Sequence, residues 1–144
     1  MRGLKWLVNG YRGRFKRVER LNEQLKICID QSISTGKMTY CVETAWKELF
    51  WELGKIKGWN NRAIDDYYTL NYRKYSYKSN TQIETDLNLL TTEDLIDKFI
   101  KRVQNINTDG LRLCDIEYIT IYFWSMYDRL EKELEQKDRK LYKY

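Results

Sequence analysis

Trp6, Tyr11 and Phe15 stand among Arg2, Lys5, Arg12, Arg14, Lys16 and Arg17 at the start of the chain. Cations at that density neutralise phosphates and release their counterions, while aromatic rings and guanidinium planes stack on unpaired bases. The spacing therefore predicts a polyanion or nucleic-acid contact. Two blander readings stand beside it: a solvated tail, and a segment that docks on an acidic surface such as Glu84, Asp86, Glu93, Asp94 and Asp97.

A second constellation runs from Asn60 to Lys78, where Tyr67, Tyr68, Tyr72, Tyr75 and Tyr77 crowd together. Rings that are apolar on the face and polar at the tip suit an interface better than a random exterior. Tyr67, Tyr72, Tyr75 and Tyr77, with Glu84 and Asp86, are the candidate contacts for a protein partner. The same stretch fits a helix-turn-helix frame loosely. Ile64 and Tyr68 would face the core, and Asn71 would cap a recognition helix over 72–78 offering Arg73, Lys74 and Lys78. Asp65 and Thr69 depart from that frame, because they stand where a small apolar residue and a glycine are wanted.

Catalytic chemistry finds little support. With no histidine among 144 residues, an imidazole base, nucleophile partner or metal ligand is excluded. Three cysteines complete no Cys₄ zinc site, so no metal and no cofactor is expected. There is no glycine-rich phosphate loop and no Gly-x-Ser-x-Gly. Acid pairs such as Asp65/Asp66 and Glu93/Asp94 are sequence neighbours, which point to different faces of a helix.

The 26 Lys and Arg exceed the 21 Asp and Glu by five, and the first twenty residues alone carry a net charge of +6. Residues 81–109 are net acidic. Cys28, Cys41 and Cys114 show no Cys-x-x-Cys spacing, so they read as unpaired, buried thiols of a reducing, cytoplasmic environment. No stretch approaches the ~20 apolar residues of a membrane helix. Abundant Ile, Lys, Asn and Tyr beside two Ala and no Pro is the signature of an AT-rich coding sequence, as in a low-GC bacterium or a phage or plasmid living in one.

The elements that must position these groups are helical. Gly3, Gly10 and Gly13 predict an irregular, partly flexible basic arm over 1–13, followed by a single α-helical domain over 14–144. Val18, Leu21, Leu25 and Cys28 open a helix, and Thr39 is the expected N-cap of a second, whose stripe is Val42, Ala45, Trp46, Leu49, Phe50, Leu53 and Ile56, ending at Gly58. Asn60 or Asn61 caps a short helix to about Leu70, and Thr91-Thr92-Glu93-Asp94 reads as a cap followed by first-turn acids, opening another helix through Ile106. The last element is long: 116–124 is rich in strand-forming residues, but no breaker separates it from the charged helix that follows. Positions 116, 123, 130 and 137 with 120, 127, 134 and 141 approximate a heptad, interrupted by Thr120 and Lys137, which allows a homodimer through this helix.

The expected fold is thus all-α, a compact bundle of four to six helices. The expected function is a small non-enzymatic accessory protein that binds nucleic acid or a host nucleoprotein. The alternative is an inhibitor or adaptor of the anti-CRISPR kind, which blocks a host defence nuclease without touching nucleic acid.

Overall fold

A computed structural model describes the backbone of residues 2–74, 87, 89–106 and 110–141, and side chains from Gly13 onward to Lys137 within those spans. Among the described residues there are five helices and no strand: α1 (Arg2–Thr35), α2 (Tyr40–Lys57), α3 (Asn61–Leu70), α4 (Thr92–Gln104) and α5 (Leu113–Leu141). The all-α bundle with a long C-terminal helix is what the periodicity predicts.

α1 corrects one expectation. Its backbone is helical from Arg2, so the glycines at 3, 10 and 13 do not leave 1–13 irregular. Each glycine costs a helix only about 1 kcal/mol, and no proline is present to remove a donor or clash with the preceding turn. Past Thr35 the chain turns through Gly36, whose φ of 76° is the left-handed conformation that closes helices. Ser32 then organises the turn. Its hydroxyl donates to Cys28 O (2.9 Å), accepts from the Thr39 amide (2.9 Å) and meets the Thr39 hydroxyl at 2.8 Å. Thr39 stands at the N-cap of α2, but its side chain serves this turn instead of capping.

That turn folds α1 and α2 into an antiparallel hairpin and brings Cys28 beside Cys41, their Cα atoms 5.8 Å apart. The two are joined as a disulfide, and Cys114 is exposed. The expectation of three unpaired buried thiols is therefore corrected. Sequence spacing alone carries no trace of a pairing that the hairpin creates.

α2 ends where Gly58 adopts φ 92°. Asn60 caps α3, its Oδ1 accepting from the Ala63 amide at 2.8 Å. Thr91 caps α4 by accepting from the Asp94 amide at 3.1 Å, with Glu93 and Asp94 in the favourable first turn. α4 and α5 form a second antiparallel hairpin, held where Thr92 meets Glu133 at one end and Arg102 meets Tyr118 and Tyr122 at the other. The ambiguous 116–124 stretch is helical throughout.

The hairpins pack about an aromatic centre. Trp46 is fully buried, stacked on Phe123 at 4.4 Å and edge-on to Phe99 at 5.9 Å. Ile116, Thr120, Phe123, Tyr127, Leu130 and Leu134, the near-heptad of α5, all face this core. Asn22 ties the hairpins together, its buried amide donating to Ile100 O at 3.1 Å. Lys57 does the same at one end of the bundle, reaching Leu111 O at 3.3 Å.

Candidate nucleic-acid interface

Two basic residues of α1 meet α2. Arg14 and Arg17 both reach Glu52, at 3.3 Å and 3.5 Å. Glu52 is only 14% exposed while Arg17 is 67% exposed, so the carboxylate is held and the guanidinium faces water. One carboxylate shared by two cations leaves a positive surplus. Lys16 and Arg20 are exposed beside them and Phe15 is half-buried. Arg2, Lys5, Trp6, Tyr11 and Arg12 belong to the same helix, with side chains outside the described set.

Glu52 sits five residues before Lys57, and Lys57 touches Leu111 in the α4–α5 connection. The Arg14–Arg17 turn of α1 thus belongs to the same end of the bundle as that connection. Here a cavity of about 630 Å³ opens between α4 and α5. Lys98, Lys101, Arg102 and Arg112 line it, with Tyr122 on one wall and Ile106 and Ile119 beneath. Arg102 lies over the Tyr118 and Tyr122 rings, 4.7 Å and 5.6 Å from their centroids. Lys101 pairs with Asp97 at 2.9 Å, which raises the ammonium pKa chiefly through their hydrogen bond. Arg112 pairs with Asp115 at 3.6 Å.

Sequence reasoning missed this cluster, because averaging 81–109 mixes the acids of 84–97 with the bases that follow. The signal was present: Lys98, Lys101, Arg102 and Asn105 recur at i, i+3, i+4 and i+7, the spacing of one helix face.

The tyrosine-rich stretch is built differently. Tyr67 donates to Glu117 Oε1 at 3.0 Å and packs against Trp59, and Tyr68 is buried against Phe50. Tyr72 sets its ring edge-on to Trp124 at 4.9 Å and keeps part of its surface exposed. A hydrogen bond to Glu43 is the main cause of its raised pKa, and burial raises that of Tyr127. Arg73 is spent internally, paired with Glu131 at 3.5 Å and lying over Tyr127 at 5.1 Å. Lys74 is exposed.

The expected recognition helix does not begin here. Asn71 closes α3, its backbone and side-chain amides both donating to Tyr67 O, and Arg73 at φ 56° breaks any helical run through 72–74. The expected core roles of Ile64 and Tyr68 do hold, since both are buried. Tyr75, Tyr77, Lys78, Glu84 and Asp86 lie outside the described residues.

The chain matches no family model, no curated protein and no solved structure. Its own geometry therefore carries the functional argument. Among the described residues, no three His, Cys, Asp or Glu side chains are grouped to hold a metal ion. No helix is long and apolar enough to cross a membrane.

Proposed function

We propose that this chain is a small accessory protein, without catalytic activity, that binds nucleic acid or a host nucleoprotein complex through the phosphate backbone. One observation carries this reading. Arg14 and Arg17 of α1 meet Glu52 of α2, and five residues on Lys57 reaches the α4–α5 connection beside the cavity lined by Lys98, Lys101, Arg102 and Arg112, so cations distant in sequence stand toward the same end of the bundle. Guanidinium groups with exposed donors suit phosphate oxygens, and such a field also speeds encounter with a polyanion. The AT-rich composition supports a phage or mobile element as the source.

The test is fluorescence anisotropy with labelled single-stranded DNA, duplex DNA and RNA at about 50 and 200 mM salt. Contact with about six phosphates loses roughly 10³-fold in affinity between those conditions. Salt-steep binding is the expected result, and absence of binding at the lower salt overturns the reading. A partner retained from host lysate after nuclease digestion would then favour the alternative, an inhibitor of a defence nuclease that meets it through protein surface.

A further inference from the structure

We infer that the α4–α5 cavity is a site for a terminal phosphate, the phosphomonoester of a nucleotide, rather than for one link of a continuous backbone. This deepens the preceding reading and rests on it for the strand-end form of the ligand. The reasoning begins with charge. Lys98, Lys101, Arg102 and Arg112 line one concavity, and among the described residues the carboxylates paired with them are Asp97 and Asp115. Among the described residues the surplus is two positive charges. A diester link carries one negative charge, whereas a phosphomonoester carries about −1.5 to −2 near neutral pH and presents three acceptor oxygens.

Donor geometry points the same way. The Arg102 guanidinium lies over the Tyr118 and Tyr122 rings, and among the described residues no carboxylate or carbonyl takes its N–H groups. A guanidinium held against aromatic rings, with no acceptor among the described residues, suits a two-pronged grip on phosphate. Lys98 likewise has no ion-pair partner among the described residues. Arg112 lines the same cavity from the connection that leads into α5.

Shape supplies the rest. About 630 Å³ exceeds what a bare phosphate needs and lies within the range of pockets that enclose small ligands. Ile106 and Ile119 give it an apolar floor, and Tyr122 gives an aromatic wall on which a base can rest. The ligand is then a nucleoside monophosphate unit, either free or at the end of a strand.

The decisive experiment uses one labelled single-stranded oligonucleotide with a 5′-phosphate, its 3′-phosphate isomer and its unphosphorylated twin. Unlabelled nucleoside 5′-monophosphate and inorganic phosphate serve as competitors. The expected result is tighter binding of a phosphorylated strand by roughly tenfold, with the advantage lost in Arg102→Ala/Arg112→Ala. Arg102→Lys keeps the charge without the fork and is expected to retain only part of it. Circular dichroism checks that each variant is folded.

Competition by the mononucleotide at comparable concentration identifies the free nucleotide as ligand, whereas competition by phosphorylated strands alone identifies the strand end. Mononucleotide binding without any strand binding sinks the nucleic-acid reading and leaves the phosphate site standing. Equal affinity for the three strands, with no mononucleotide binding, overturns the inference and leaves the nucleic-acid reading intact.

Discussion

Two helical glycines separate what the backbone costs from what packing requires. At Gly13 of α1 a Cβ would meet nothing within 4 Å. Replacing it by alanine removes the conformational entropy that glycine gives the unfolded chain, and Gly13→Ala is expected to gain about 0.5–1 kcal/mol. At Gly54 of α2 the same atom would fall 2.6 Å from Cγ1 of the fully buried Ile64. The better helix propensity returns at most about 1 kcal/mol, whereas overpacking costs about 1–3 kcal/mol as α3 is pushed off α2. Gly54→Ala is therefore expected to be net destabilising. Urea midpoints of the two variants should move in opposite directions, and a shared direction would mean that α3 does not rest on Gly54. At the same scale, the Tyr68 hydroxyl is buried with no hydrogen-bond partner among the described residues, and burial raises its pKa well above the ordinary value of 10.0. The folded state thus favours the neutral phenol. This stability is complete below the unfolded pKa near 10 and fades as pH rises beyond it, when only the unfolded chain ionises. Tyr68→Phe should be close to neutral at pH 8 and should lose less stability than wild type between pH 10 and 11.

At the scale of elements, the α1–α2 hairpin depends on its Ser32–Thr39 turn and on the bridge between Cys28 and Cys41. The sequence separation of 13 implies, on the chain-entropy account, about 3 kcal/mol of stabilisation through the unfolded state. Adding reductant should lower the melting temperature of wild type, and Cys28→Ser/Cys41→Ser should melt like the reduced protein whether or not reductant is present. Identical melts for wild type with and without reductant would show that the pair does not constrain the unfolded chain. This pairing also marks where the sequence stops being legible. The apolar stripes of α2, α4 and α5 and the Asn60 and Thr91 caps are local signals, and each element stands where its signal lies. Three things were not local. The helicity of 2–13 was hidden by glycines that weaken a helix without ending it. The disulfide arises only once the hairpin closes. The cavity draws Lys98–Arg102 and Arg112 from two elements, and only the first group shares a helix face. Arg73 shows the converse: its charge was legible, but its engagement with Glu131 and Tyr127 was not.

At the scale of the whole molecule, Arg14 and Arg17 of α1 and the cations of the α4–α5 cavity stand toward the end of the bundle where Lys57 reaches Leu111, away from the start of α4, where Thr92 meets Glu133. A ligand drawn to the basic end by its phosphates should respond to both basic groups, yet differently. Replacing Arg12, Arg14, Lys16 and Arg17 together by alanine removes cations that are expected to meet the backbone. If all four do so, the plot of log affinity against log salt becomes less steep by about 3–4 units. A structural role for the arginines would also weaken binding, so the slope alone does not separate the two accounts. Glu52 does. It holds Arg14 and Arg17 with a carboxylate that is mostly buried. Glu52→Gln keeps an acceptor of the same shape and removes the competing negative charge. If the arginines act on phosphate, this variant should bind nucleic acid more tightly and with a steeper salt slope than wild type. If they act only by fixing α1 against α2, it should lose stability and gain nothing in affinity. Exposed ion pairs contribute about 0–1 kcal/mol, so a modest fall in melting temperature is compatible with either account. The sign of the affinity change is therefore what decides between them.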